Sequence, residues 1–405
     1  MKPSLRPVWA EVDLAAVRGN VQALLRAVTP VPVLAVVKAD AYGHGAVAVS
    51  RTLEREGVSM LGVARIEEGM ELRLGGVELP ILVLSGVPVG GVPPFESLEE
   101  HLVEIVRHRL TPVLYDVGVA LAIDRLLQKR DLDRSDGMPP QTRLDYHLKI
   151  DTGMGRIGVQ TEEIRGAVEI LSRCKNLRLT GALTHFADAD SDAKDAQEFT
   201  RRQYQRFQAA MPALRGIADG DESLLFHASN SAAALTGVAT DLDLVRPGIA
   251  LYGAQPSDAF RGIRLKPVLK LSTRVLFVKE VPPGATISYG RTFVADRATK
   301  IATLPVGYGD GYSRALSNKG EVLIHGRRAP IVGRICMDLT MVDVSGIPDV
   351  VAGDEVVLIG TQGDAQMTAE ELASKAGTIS YEVFTSISKR VPRVFRNAPH
   401  GPKAT

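Results

Sequence analysis

Between Trp9 and about Gly253, eight short apolar runs alternate with longer amphipathic stretches: Val33–Ala39, Met60–Ala64, Ile81–Ser85, Pro112–Asp116, Tyr146–Asp151, Leu179–Phe186, Leu224–Ala228 and Leu242–Arg246. A run of aliphatic and β-branched residues without polar alternation reads as a strand buried on both faces, the habit of parallel sheets. Parallel neighbours need crossovers, and helices fit between the runs. Asp13, for example, is placed to cap a helix through Val17, Val21, Leu24 and Leu25. Eight such units predict an α/β protein with an N-terminal (β/α)8 barrel of the TIM type. An open doubly wound sheet would carry a Gly-rich phosphate loop after its first strand, whereas this chain has a lysine there, Lys38.

After about Pro256 the texture changes to short strands such as "VLKLSTRVLFVKEV" and "DEVVLIG", separated by Pro-Gly and Gly-Asp turns. The division expected is a barrel over residues 1–255, a mainly β domain over 256–395 and a flexible tail over 396–405. Thr368 with Glu371 three residues on predicts one helix in the second domain, opened by a capping box. The polar, aperiodic stretch Asp131 to Arg143 predicts a surface loop.

The 405 residues suffice for two cores, and 48 basic against 47 acidic side chains create no field that would recruit nucleic acid or an anionic membrane. No run reaches the roughly 18 apolar residues of a membrane helix, and no signal-like segment precedes Trp9. Two cysteines, Cys174 and Cys336, point to a reducing compartment, and no metal-ligand spacing is present, so a cytoplasmic location and no metal are expected. Small metabolites are the partners this balance favours.

Lys38 ends the apolar run Val33 to Val37, so it emerges at the carboxyl end of a strand, where α/β barrels keep their chemistry. Partial desolvation there favours the neutral amine and suits Schiff-base formation with a carbonyl cofactor such as pyridoxal phosphate. The string "AVVKADAYGHG" resembles the pyridoxal-phosphate signature of the alanine racemase family. It is followed, in family order, by "HLKIDTGMGRIG", "LTHFADAD", "HASNSAAAL", "VRPGIALYG", "ISYGRTF", "LPVGYGDGYSR", "GRICMDLTMVDV" and "ISYEVFTSISKRVPR", spanning Trp9 to Arg393.

The resemblance implies a pyridoxal 5'-phosphate enzyme that interconverts L- and D-alanine with one base on each face of a planar intermediate, supplying D-alanine for peptidoglycan. Lys38 would be one base and Tyr289 the other, with a chain from Tyr289 through His185 to Arg246. Arg246 would face the cofactor's ring nitrogen. A guanidinium only donates, so that nitrogen would carry no proton of its own, which favours prompt reprotonation at Cα. Arg156 would hold the substrate carboxylate with the backbone amide of Met337, oriented by Lys149, whose family counterpart is often carbamylated. Tyr42, Ser231 and Tyr381 by hydroxyl, and Ser231, Gly248 and Ile249 by backbone, would hold the phosphate, while Tyr308 and Asp338 would line the substrate entrance.

Because Tyr289 and Met337 fall in the β domain, the resemblance further implies a head-to-tail homodimer with composite sites. Two other readings share the lysine-bearing barrel: a broad-specificity amino-acid racemase, and a barrel-type decarboxylase of basic amino acids, against which Arg246 and Tyr289 argue. The chain departs from the usual family string at Gly309, where many members carry alanine. Glycine there implies a looser turn and a wider entrance.

Overall fold

The computed structural model describes residues 7–90, 97–133, 143–217, 224–256 and 262–398. Seven parallel strands run in chain order around the first unit: Leu34–Val36, Met60–Val63, Ile81–Val83, Leu110–Leu114, Leu144–Asp151, Leu177–Leu183 and Leu225–His227. The eighth expected run, Leu242–Arg246, is not a regular strand. It bridges both free edges, Leu244 to His227 and Val245 to Val33, and so closes the barrel. Pro247 comes next and donates no hydrogen bond, while its carbonyl accepts from Val36 at 2.9 Å.

Sequence and packing agree on why these strands form. Leu34, Ala35 and Val36 are all buried, as are Met60 to Val63 and Ile81 to Val83, so both faces of each strand meet apolar neighbours. Asp13 caps the helix Leu14–Val28 by accepting from Ala15 N at 2.9 Å, and that helix buries Val17, Val21 and Leu24. The expected loop Asp131 to Arg143 begins as the last turn of the helix Val117–Asp133, and residues 134–142 lie outside the described ones. Of the expected tail, Arg396 closes the strand Arg393–Arg396 and residues 399–405 lie outside the described ones.

The second unit is built on a sheet in the order Arg327–Pro330, Glu321–Ile324, Glu355–Gln362, Leu269–Arg274, Val8–Asp13 and Arg393–Arg396, with Ala365–Met367 beside Glu355–Gln362. Thus Val8–Asp13, which the 1–255 division groups with the barrel, hydrogen-bonds within the β unit, antiparallel to Leu269–Arg274 and parallel to Arg393–Arg396. A three-stranded sheet (Phe277–Val281, Thr299–Leu304, Thr340–Asp343) and a small hairpin (Thr286–Ile287, Phe293–Val294) complete it. Thr368 caps the helix Ala369–Ala376 by accepting from Glu371 N at 3.0 Å. The Glu371 carboxylate turns instead to Arg328 and Lys375. A further helix, Ser380–Ser386, was not foreseen from the sequence. No described helix is long and apolar enough to cross a membrane.

Candidate active site

Ten of the expected residues line one cavity of about 670 Å³ at the carboxyl ends of the barrel strands: Lys38, Tyr42, Lys149, Arg156, His185, Ser231, Arg246, Gly248, Ile249 and Tyr381. Nine come from loops and strand ends of the barrel, and Tyr381 comes from the helix Ser380–Ser386 of the β unit.

Lys38 does not end a strand reaching Ala39, as its sequence suggested. The strand stops at Val36, and Ala39, Asp40, Ala41 and Tyr42 have φ of 52, 55, 52 and 53°, one turn of left-handed helix. Left-handed geometry costs an L-residue roughly 1–2 kcal/mol, so neighbours must impose it. Glu68 Oε1 accepts from Ala39 N at 2.7 Å while its Oε2 accepts from Ala64 N at 2.7 Å. Asp40 Oδ1 accepts from Ala46 N at 2.7 Å. Buried His44 lies with Nδ1 3.0 and 2.8 Å from the carbonyls of Ala41 and Tyr42, and burial pushes its ring down to about 4, keeping it neutral. From the β unit, Arg393 donates to the carbonyls of Gly43 (2.9 Å), Ile387, Ser388 and Val391 (2.7 Å each). The turn that presents Lys38 is therefore clamped from both units.

The opposite wall holds basic groups. Lys149 lies buried near the end of the strand Leu144–Asp151. Asp151 Oδ1 accepts from Gly153 N (2.9 Å) and Gly155 N (3.1 Å), folding back the loop that carries Arg156. A Cβ at Gly158, whose φ is 136°, would sit 2.6 Å from Asp151 N, so glycine is required for that loop to return. Arg246 is buried. Its Nη2 donates to the carbonyls of Thr184 (2.7 Å) and Ala228 (2.8 Å) and lies 3.4 Å from His185 Nδ1, and its Nη1 lies 2.9 Å from His227 Nδ1.

Crowding of cations in a dry cavity lowers their basicity. Desolvation, followed by Arg156, pushes the Lys38 amine down, with Glu68 opposing. Desolvation, Arg246 and Arg156 push Lys149 to about 7. Desolvation and then Arg246 hold His185 well below the usual histidine range. The result is a cavity rich in positive charge whose amines are less basic than solvated lysines, an environment suited to binding an anion and to nucleophilic attack on a carbonyl.

The residues fit a pyridoxal phosphate. Gly248 packs so closely on Tyr42 that a Cβ there would lie 2.5 Å from the Tyr42 hydroxyl, and its N–H meets Ser231 Oγ at 2.8 Å. Two hydroxyls and a bare stretch of backbone thus converge at one end of the cavity. Lys38 and Arg246 also line it. Asn230 serves the same corner as the N-cap of Ser231–Thr236, accepting from Ala233 N at 3.0 Å.

Four expected residues are not brought together with the others in a single chain. Tyr289, in the tip of the small hairpin, is 71% exposed, Met337 53% and Tyr308 42%. Asp338 is exposed and ion-paired to Arg390. None of the four is among the residues lining the cavity. Nor is the turn at Gly309 loose: its N–H donates to Met337 O at 2.9 Å and its carbonyl accepts from Ser388 Oγ at 3.1 Å. A Cβ there would overlap the Arg390 guanidinium, so the glycine makes room for that side chain. Sequence reasoning missed Glu68, His147 and His227. His147 and His227 open two of the motif strings and Glu68 lies in none, and only the fold shows what each faces.

Comparison with known proteins gives one answer along the whole chain. Residues 12–256 match the family model described as alanine racemase, N-terminal domain, and residues 268–395 the alanine racemase, C-terminal domain. The chain is 44% identical over 394 residues to alanine racemase of Halothermothrix orenii, covering 97% of each protein. It is 45% identical over 395 residues to that of Geobacter sulfurreducens, covering 97% of this chain and 98% of the other. Among solved structures, it is similar to alanine racemase of Clostridium difficile 630, with a TM-score of 0.82, 37% identity and 96% of each chain covered. It is also similar to alanine racemase from Bacillus anthracis with bound L-Ala-P, with a TM-score of 0.84, 36% identity, and 98% and 97% covered.

Proposed function

This chain belongs to the alanine racemase family, and on that premise we propose that it interconverts L- and D-alanine with pyridoxal phosphate, as a cytoplasmic homodimer that supplies D-alanine for peptidoglycan. The observation that carries the proposal is the cavity in which a partly desolvated Lys38 shares walls with Arg156 and Arg246. Pyridoxal phosphate, when bound, supplies an electrophilic carbonyl and an electron-withdrawing ring that acidify the Cα–H of an attached amino acid.

Tyr42, Ser231 and Tyr381, with the backbone amides of Ser231, Gly248 and Ile249, would hold the phosphate end. Lys38 would hold the carbonyl end, and Arg246, locked by two carbonyls, would meet the ring nitrogen as an obligate donor. Arg156 would bind the alanine carboxylate and fix which bond at Cα stands upright. Lys38 Nζ, kept less basic than a solvated lysine, would take or return the proton on one face.

The opposite face needs a second base, and Tyr289, the candidate, is not among the residues that line the cavity of the single chain. Tyr289, Met337 and Tyr308 are exposed on the β unit, on segments joined through Cys336, whose Sγ meets Ser288 Oγ and whose carbonyl accepts from Tyr308 N, and they suit burial against the cavity mouth of a second copy. There the Tyr289 hydroxyl would meet His185, whose Nδ1 faces Arg246. The Met337 amide would join Arg156 on the carboxylate, and Tyr308 and Asp338 would edge the entrance.

The test is to incubate the purified protein with L-alanine in deuterated water and follow Cα exchange, optical rotation and carbon dioxide. Deuterium entry with loss of rotation and no gas is expected. Carbon dioxide release would overturn the reading in favour of a decarboxylase.

A further inference from the structure

Two buried imidazoles, His147 and His227, are absent from the walls of the cavity and take no part in its chemistry. We propose that they are positioning residues that lock the Arg246 guanidinium through a one-way chain of hydrogen bonds, both rings neutral and both carrying their hydrogen on Nε2. The functional half of this inference rests on the alanine racemase reading; the tautomers do not.

The direction of the chain is set by chemistry at one end. A guanidinium has donors and no acceptor. Arg246 Nη1 lies 2.9 Å from His227 Nδ1, so that nitrogen is bare and accepts. The hydrogen of a neutral His227 is then on Nε2, which lies 2.8 Å from His147 Nδ1. That second nitrogen must accept in turn, leaving the His147 hydrogen on its own Nε2. A doubly protonated His227 would turn an N–H against the guanidinium. Burial, and Arg246 after it, opposes that state in both rings, and Lys149 adds to it at His227, while Asp145 alone pulls His147 the other way.

The backbone is shaped for this chain. The strands Leu144–Asp151 and Leu177–Leu183 pair Tyr146 with Leu179 and then His147 with Gly181, so the register slips by one residue at His147. A bulge of this kind re-aims a side chain. It sets the ring over a glycine where a Cβ would come within 2.6 to 2.8 Å of three of its atoms. A space-filling role alone would need neither the slip nor the glycine. With His227 on Nη1 and the carbonyls of Thr184 and Ala228 on Nη2, both terminal nitrogens of Arg246 are engaged and its plane has one setting.

The test uses the full-length holoenzyme labelled with ¹⁵N-histidine. Long-range ¹H–¹⁵N correlations should show His147 and His227 as neutral Nε2–H tautomers, unchanged from about pH 6 to 9, each identified as the pattern lost in His147→Asn or His227→Asn, while His185, whose Nδ1 also faces Arg246, keeps a third such pattern in both variants. An Nδ1–H tautomer, or titration of either ring in that range, overturns the proposal. A kinetic arm separates positioning from packing. His147→Phe, which fills the volume but accepts no hydrogen bond, should lower kcat about tenfold with KM for alanine little changed, by analogy with other outer-shell partners. His147→Asn, whose Oδ1 takes the place of Nδ1, should recover to within about threefold. The reverse order, with phenylalanine the milder change, would contradict the chain. Should the variants fold poorly, the spectra of the unaltered protein still decide. If the unaltered enzyme fails to racemise alanine while both tautomers are as stated, the functional reading fails and the chain stands.

Discussion

Replacing Lys149 by methionine isolates the energetic burden of a cation held in a dry cavity. Lys149 is buried, and desolvation with Arg246 and Arg156 brings its amine from 10.5 to about 7. The unfolded chain therefore binds a proton between these values that the folded protein does not, so stability rises with pH across that window and the burden is full below it. At 1.36 kcal/mol per unit, the burden at pH 7.5 is about 4 kcal/mol, and at pH 10, close to the unfolded value, it shrinks to about 1 kcal/mol. Methionine keeps the stem's packing and removes the charge. In carbon-dioxide-free buffer, where no carbamate forms, Lys149→Met should be more stable than the parent by about 4 kcal/mol at pH 7.5 and by about 1 kcal/mol at pH 10. Guanidinium denaturation of the cofactor-free proteins reads both values. A gap under about 1 kcal/mol at pH 7.5, or one that widens with pH, would refute the reasoning.

Two other substitutions test the clamps around the site. Gly43→Ala places a Cβ against the Phe384 carbonyl at a φ of 78°, and should cost about 2–4 kcal/mol in denaturant unfolding, since a steric overlap and a left-handed residue are strained together. A cost below about 0.5 kcal/mol would mean that Arg393 and Phe384 do not press on this turn. Gly309→Ala, at an ordinary φ, displaces the tip of Arg390 and sits tightly, at 3.0 Å, against the Met337 carbonyl. It should leave stability within about 1 kcal/mol while freeing Asp338 and changing KM for alanine severalfold. An unchanged KM would show that the Arg390–Asp338 pair is irrelevant to the entrance.

The barrel was legible because its strands are buried on both faces: Val33 to Val37, Met60 to Val63 and Ile81 to Val83 carry no polar alternation. The cap at Asp13 was legible from a residue type. The turn after Lys38 was not. The run Ala39, Asp40, Ala41 and Tyr42 gives no signal for a left-handed turn, which Glu68 and Arg393 impose from elsewhere in sequence and His44 braces from its own end. The closing segment Leu242–Arg246 has the composition of a strand, yet it makes single bridges on each side because the barrel must shut there. Val8–Asp13 crosses to the other unit through pairings more than 250 residues away, which no local pattern records. Likewise the slip at His147, whose ring meets His227, is a property of strand register and left no trace in residue type. Tyr289, Met337, Tyr308 and Asp338 lie outside the cavity of the single chain, as the proposed division of the site between two copies requires.

That division is most directly tested by complementation. Lys38→Ala and Tyr289→Phe proteins are each prepared, found inactive, then unfolded and refolded together in equal amounts. If Tyr289 serves the cavity of the other subunit, every mixed dimer has one site with neither substitution, and random pairing restores about one quarter of the parent activity. If activity stays at the level of the separate variants although mixed dimers have formed, Tyr289 does not act across the subunit boundary and the composite site is wrong.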